Sequence, residues 1–469
     1  VTECALLDGV KKSKINYQTI RQSVKIESQI PFTSQNKYMQ TVANNVVYLK
    51  GAPEKIVDKS KLTYYQKLDV LNEIKKYQQQ GYRVICFASK GVDDANFKYD
   101  GFAVLTDEIR KDVYTAVKQC IDAGIKVKIL TGDNFETAYQ VAKSLKIASS
   151  ESQVMLGSEV DEMPIEELKS KINLVTVVAR STPKTKLKIV NALKSNGEVV
   201  AVTGDGVNDA PAIKNADIGI AMGSGSEITK EVSDIILLDD SFSTIITAIF
   251  FGRNIYLNFQ RFIMFQLSVN LTAVLFIIIS LITGLNNPFN AVQLLWVNLI
   301  MDGPPALTLG LETTSKSVMN NNPVKRTDNI ITKKMLFRII LHAVIMCFIL
   351  FMQYEYNVLN VEKQQLSTVI FTLFVLMNLF NAFNSRETGI ESIFKNLKNN
   401  KPMLYTFLVT FLIQIVITEF AGGFFKTVPL GFETWIKTIL LSSVIVIISE
   451  FYKFIFRLIN KNFKIRKKV

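Results

Sequence analysis

Histidine is nearly absent from the 469 residues: His342 stands alone, inside an apolar run. Chemistry that needs a histidine base beside histidine ligands has nothing to assemble from. Cysteine is scarce too. Cys4, Cys86, Cys120 and Cys347 lie far apart with no Cys-x-x-Cys spacing, which argues against structural zinc and a redox pair and favours reduced, partly buried thiols. No signal-peptide pattern opens the chain; it starts on Val1, and residues 1–10 read as the middle of an element.

Apolar residues and positive charge are what it has in plenty. Hydrophobic residues make up 48% and mean hydropathy is +0.22, yet 20% of residues are charged. Lys and Arg number 54 against 41 Asp and Glu, a net charge of +13. This excludes a disordered, collagen-like or disulfide-stapled chain and points to a charged soluble part joined to an apolar membrane part.

Six long apolar stretches follow residue 250, at roughly 262–283, 291–311, 335–353, 366–384, 403–421 and 434–456. Each approaches the ~20 residues that cross a bilayer as a helix. Basic residues cluster in alternate loops: Lys316, Lys325, Arg326, Lys333 and Lys334 after the second span, then Arg386, Lys395, Lys398 and Lys401 after the fourth. The tail adds Lys461, Lys464, Arg466, Lys467 and Lys468, whereas the opposite loops hold only Lys363 and Lys426. By the positive-inside rule, residues 1–250 and the C-terminus face the cytosol. Much of the basic charge is then topology and lipid-surface contact, not nucleic-acid binding.

Residues 100–245 alternate strand and helix signals, with short apolar strands at Ile125–Leu130, Val175–Ala179, Val199–Val202, Ile218–Ala221 and Ile235–Leu238. The pattern predicts a parallel sheet with helices on its faces. Residues 1–95 read as a smaller α+β domain. Two of the predicted strands end in the same tripeptide, Thr131-Gly132-Asp133 and Thr203-Gly204-Asp205. Ligands of doubly wound sheets sit at such strand ends, where glycine admits a bound group and a hydroxyl and backbone N–H hold phosphate oxygens. Asp205, Asn208 and Asp209 crowd one loop, which suits Mg²⁺ beside a phosphate. Lys186, opening a helix between the two loops, is placed to neutralise a transferring phosphoryl group.

The strings TGDN (131–134), TGDGVNDAP (203–211) and Lys50-Gly51-Ala-Pro-Glu54 resemble the signatures of P-type ATPases, which pump cations through an aspartyl-phosphate intermediate. The resemblance runs along essentially the whole chain. It implies an α/β fold plus an all-α membrane domain: a partial nucleotide-binding domain at 1–95, a haloacid-dehalogenase-like phosphorylation domain at 96–245, and six transmembrane helices at 246–469. By this resemblance Asp205 holds Mg²⁺, and Thr131, Gly132 and Asp133 surround the γ-phosphate of ATP. Lys186 neutralises it, Asn208 and Asp209 order the loop, and Arg180 touches nucleotide from the hinge side. Glu3 resembles the adenine-side acid and Phe32 the ring that stacks on adenine, with Lys37, Lys50, Gly51 and Lys90 as its neighbours. The family's Asp-Lys-Thr-Gly string, which carries the phosphorylated aspartate, does not occur in this sequence. The chain thus resembles the C-terminal half of a pump, with the other half as its missing partner.

In the second span, Asn298 and Asp302 are four residues apart, on one face of a predicted helix, just before Gly303-Pro-Pro305. Oxygen ligands with one carboxylate suit a hard cation such as Ca²⁺ or Mn²⁺. This string resembles the sixth helix of calcium pumps, with Asn270 in the first span at another contributing position. Ala273, Met301 and Asn378 stand where two-site pumps place further ligands, which implies one ion per cycle. Asn270 favours the plasma-membrane type of pump, whereas Asp302-Gly303-Pro-Pro305 and Asn-Pro-Phe-Asn (287–290) resemble the secretory-pathway type, which also carries Mn²⁺; the expectation taken from the resemblance is Ca²⁺ export across the plasma membrane. Two alternatives remain from sequence: a non-catalytic membrane module derived from a pump, and a phosphatase of the same fold using Asp107.

Overall fold

The computed structural model describes residues 2–13, 15–33, 36–80, 82–105, 109–284, 288–395 and 397–466. Asp107, Asn287, Lys467 and Lys468 lie outside the described residues. The chain divides into two compact units, Val1–Thr247 with Asn321–Arg326, and Ala248–Asn320 with Thr327–Val469.

In the first unit, β1 (Ile26–Ile30), β2 (Tyr38–Ala43), β3 (Val46–Gly51), β4 (Arg83–Gly91) and β5 (Lys98–Leu105) form an antiparallel sheet in chain order. Asn44 and Asn45, both at positive φ (51° and 59°), turn the tight β2–β3 hairpin, as asparagine tolerates. Val47, Leu49 and Gly51 are buried while Tyr48 is exposed, the alternation of a sheet covered on one face. Helices Pro53–Lys59 and Tyr64–Gln79 supply Ile56 and Ile74 to that core.

Two three-stranded parallel sheets follow where one sheet was expected. β6 (Ile129–Leu130), β7 (Val154–Leu156) and β8 (Val177–Ala179) form the first, in the order β6-β8-β7; β9 (Ala201–Gly204), β10 (Ile218–Met222) and β11 (Ile235–Leu237) form the second, in the order β11-β10-β9. Their edge strands β6 and β9 do not pair with each other. The sheets are nevertheless tied, by Lys126–Glu198 at 3.0 Å near the strand starts and by Lys186–Asp209 at 2.5 Å beyond their ends. Helix Pro183–Ser195 buries Ile189, Val190, Ala192 and Leu193 beneath these sheets.

The second unit is helical. Five helices are long and apolar enough to span a membrane: Phe242–Ile282, Lys333–Tyr356, Lys363–Arg386, Lys401–Phe420 and Phe432–Arg466. Of the six spans expected from sequence, five are long continuous helices among the described residues. The stretch at 291–311 is an interrupted helix: Ala291–Trp296, a π-helical turn over Val297–Met301, then Gly303–Gly310. Pro304 and Pro305 bring no N–H, so Ile300 and Met301 lose their usual helical donors. The Asp302 N–H reaches back five residues to Val297 O, at 2.9 Å. Lys363–Arg386 is almost wholly buried at the centre of the unit. At its end, Arg386 holds Glu312 through two bonds of 2.7 and 2.9 Å, and Asn400 Nδ2 donates to Glu312 at 2.9 Å, fixing the chain just past the interrupted helix.

Candidate functional site

β6 delivers Thr131 with its N–H on Val178 O at 3.0 Å. The Thr131 hydroxyl donates to Asp133 Oδ2 at 3.0 Å and accepts from the Asp133 N–H at 3.1 Å, which folds the loop on itself. Arg180, at φ 53°, turns the chain after β8 so that its own N–H meets Asp133 O at 2.9 Å and the Ser181 N–H meets Thr131 O at 2.8 Å. Asn134 then caps helix Phe135–Ser144, accepting from the Thr137 N–H at 2.8 Å.

The second loop is built as tightly. Asp209 accepts Lys186 Nζ at 2.5 Å on one oxygen and the Gly206 N–H at 3.3 Å on the other. A Cβ on Gly204 would lie 2.6 Å from Asp209 Cβ, so this position requires glycine. The Thr229 hydroxyl, fully buried, donates to Gly206 O at 2.9 Å, and the Ser226 N–H donates to Asp205 O at 2.8 Å. These two supports were not legible in the signature string. Asp205 and Asn208 are exposed, and among the described residues no donor engages the Asp205 carboxylate. A carboxylate left free beside a lysine-neutralised loop fits Mg²⁺, which binds through one or two carboxylates plus phosphate and water. Among the described residues no three acidic, cysteine or histidine side chains cluster as a protein-only metal cage.

On the antiparallel sheet, Glu3 pairs with Lys50, which stands on the face opposite the helix-covered core. Lys37 is 3.6 Å from Glu54 and its carbonyl packs on Gly51, where an added Cβ would approach to 2.6 Å. Phe32 is exposed. Lys90 is not gathered with Lys50: it is registered opposite Val47, three residues from Lys50 and so on the other face, and lies 5.2 Å over the Phe97 ring.

The membrane unit places Asp302 at zero exposure, with neither carboxylate oxygen hydrogen-bonded. Asn378 is equally buried, and both its amide atoms lack partners. Asn298 is not on this buried face: the π-turn rotates it to the surface, where Asn270 also lies. Sequence reasoning stopped at Asn378 and missed Asn381, Asn384 and Ser385, all fully buried on the same helix. The signal was there, in polar residues at helical spacing inside an apolar span.

Three family models match the chain: "P-type ATPase, cytoplasmic domain N" over residues 1–115, "haloacid dehalogenase-like hydrolase" over 165–249, and "Cation transporting ATPase, C-terminus" over 286–455. The chain is 36% identical over 486 residues to "Probable calcium-transporting ATPase 6, plasma membrane-type" of Oryza sativa subsp. japonica, covering 96% of this chain and 48% of that protein. It is 35% identical to "Calcium-transporting ATPase 1" of Saccharomyces cerevisiae, covering 96% and 51%, and 35% identical to human "Calcium-transporting ATPase type 2C member 1", covering 94% and 50%. It thus spans about half the length of the curated relatives it matches. With nucleotide-domain, dehalogenase-like and C-terminal membrane regions all matched, the chain belongs to the P-type cation-transporting ATPase family.

Proposed function

We propose that this chain forms the C-terminal part of an ATP-driven pump that exports Ca²⁺ from the cytosol, one ion per cycle, through an aspartyl-phosphate intermediate. The observation that carries this is Asp302, a wholly buried carboxylate with both oxygens unpartnered at the break of a helix. Leaving such a group without a partner is costly, and a cation is the ligand that satisfies it. Met301 and Ala273 offer no carboxylate for a second ion, and an all-oxygen set suits Ca²⁺, with Mn²⁺ as the alternative cargo. Asn298 and Asn270 present amide oxygens on the surface, where a helix from the rest of the pump would enclose them.

In the cytosolic unit ATP is the substrate. Glu3, Lys50, Phe32 and Lys37 contact the nucleotide in this reading, and Lys90 acts from the far face of the sheet through its surroundings. Asp205 would hold Mg²⁺, which supplies charge neutralisation on the phosphate oxygens. Lys186, pinned by Asp209, presents its ammonium to the transferring group, while Thr131, Gly132 and Asp133 line the phosphate and Arg180 fixes the loop from below. Asn208 and Asp209 order the second loop. Catalysis here is positioning and charge neutralisation. The open edges of β6 and β9, both leading into Thr-Gly-Asp, support a further step of the reading: a parallel strand from outside this sequence, bearing the phosphorylated aspartate, pairs with both. The basic loops support a topology with residues 1–250 and the C-terminus on the cytosolic side, and the membrane in this reading is the plasma membrane.

The test is Ca²⁺ uptake into inside-out vesicles by the intact transporter, with Mn²⁺ as competitor. Uptake that needs ATP and disappears in Asp302→Asn is expected. ATP-driven uptake unchanged by Asp302→Asn would overturn the assignment of the cation site.

A further inference from the structure

Beyond Asp302, the membrane unit buries a second set of polar groups that the pumping cycle described above does not use. Asn378, Asn381 and Ser385 recur at i, i+3 and i+7 on helix Lys363–Arg386, one stripe of that helix, and Asn384 turns its amide to Ile445 O at 3.3 Å. Asn381 lies against His342 of helix Lys333–Tyr356. One further turn toward the start of that helix is Arg338, 5% exposed, whose Nη1 reaches Gly389 O at 3.5 Å in the loop just past Arg386.

These groups are buried but not satisfied. Neither amide atom of Asn378 or Asn381, nor Asn384 Oδ1, Ser385 Oγ, His342 Nδ1 or Arg338 Nη2, makes a well-formed hydrogen bond, although Asn381 and His342 lie close enough to interact. The set mixes donors and acceptors. An anion would satisfy only the donors and a metal ion only the acceptors, whereas water serves both and is the usual partner of such buried groups.

The end of the stripe at the Lys- and Arg-rich loops is basic. Lys453, fully buried on the last helix, pairs with Glu450 at 3.3 Å, and Glu450 also takes the Ile393 N–H at 2.9 Å and Arg457 at 3.5 Å. Glu387 is close enough to interact electrostatically with Arg338, Lys453 and Arg261, and Tyr452 with Arg338. Arg338, Lys453, Arg457 and Arg261 therefore share Glu387 and Glu450, the neighbouring Glu312 being paired with Arg386, so positive charge is in local excess in a low-dielectric setting that repels divalent cations.

We propose that a water-filled polar seam runs along helix Lys363–Arg386 from the depth of Asn378, about 12 Å below the helix end at the usual helical rise, to a basic mouth at Arg338 and Lys453. The mouth passes water and small anions and rejects metal cations. The seam is a solvent route into the membrane unit, separate from any path the cargo takes, and it stands whether or not Asp302 binds cargo.

Two measurements on the full chain in lipid nanodiscs test it. In pulsed X-ray hydroxyl-radical labelling, which marks side chains next to bound water, His342 should be oxidised well above Met346, a fully buried neighbour on the same helix with the more reactive side chain. His342 labelling no stronger than Met346 would overturn the water seam without any substitution. In a background lacking the four native cysteines, the Ser385→Cys thiol should react on the order of 10-fold faster with a small anionic methanethiosulfonate than with a cationic one, after correction for intrinsic reactivity. Arg338→Gln should narrow that ratio. A cationic reagent that reacts as fast or faster, or a thiol inert to both, would overturn the basic mouth.

Discussion

The two Thr-Gly-Asp loops and the buried polar face of the membrane helices handle polarity in opposite ways. In the loops almost every group has a protein partner: Thr131 with Asp133, Lys186 with Asp209, Thr229 with Gly206, and Ser226 with Asp205. In the membrane unit Asp302, Asn378 and Asn381 are more deeply buried and have none. The loops are held in one geometry by their own hydrogen bonds, the preorganisation that electrostatic catalysis at the proposed phosphate site requires. The membrane groups are built to be completed by something that is not protein. A folded chain tolerates unsatisfied polar atoms where a ligand or water repays the desolvation, and these are the places to look for cargo and solvent.

The sharpest way to break the contrast is at its unsatisfied end. Asp302→Asn should lower Ca²⁺ transport by on the order of 100-fold while leaving thermal stability equal or slightly higher, because a neutral amide is easier to bury than a charged carboxylate without a partner. Paired uptake and unfolding measurements check both parts. At the satisfied end the expected signs differ. Lys186→Met leaves the Asp209 carboxylate, only 16% exposed, without its ammonium, and should cost about 2 kcal/mol of stability together with phosphoryl transfer. Gly204→Ala drives a Cβ into Asp209 and should cost about 1–3 kcal/mol in the same unfolding assay.

Two smaller effects appear as pH dependence. Burial raises the Asp217 carboxyl, but the Arg326 guanidinium, the Val200 N–H and Lys194 outweigh it and hold it below the usual carboxylate range. A depressed acid contributes stability above its unfolded pKa and loses it as pH falls through the folded value. Asp217→Asn should therefore cost somewhat under about 1 kcal/mol at neutral pH, since Arg326 is partly exposed, and the cost should vanish in acid. Lys128, whose ammonium donates to Ile172 O at 2.7 Å and to Val175 O, is lowered to about 8 by burial first and by Lys126 second. Between that value and the ordinary lysine range the unfolded chain binds more protons, so stability should rise with pH across this window. Lys128→Met should flatten the rise in a pH series of chemical unfolding curves.

The two Thr-Gly-Asp loops stood out in the sequence because Thr, Gly and Asp at a strand end have few other uses. Short strands such as Ala201–Gly204 and Ile218–Met222 were legible from their apolar runs. A single parallel sheet was not the outcome, since strand signals say nothing of which edges meet. Asn298 was expected beside Asp302 because the two are a helical turn apart; the i→i+5 bond at Asp302 breaks that periodicity, and two prolines explain it only in hindsight. The family resemblance set Lys90 beside Lys50, yet a register of odd offset puts it on the opposite sheet face. His342 read as an isolated residue in an apolar run, and only tertiary packing brings it to Asn381 and Arg338.

The most direct measurement is phosphorylation of the intact transporter by ATP as Ca²⁺ is varied, in the wild type and in Asp302→Asn. If Asp302 holds the cargo and the loops are prebuilt, wild-type phosphoenzyme will depend on Ca²⁺, and the variant will lose that dependence while still accepting inorganic phosphate. Ca²⁺-dependent phosphorylation with unchanged Ca²⁺ affinity in Asp302→Asn would contradict it.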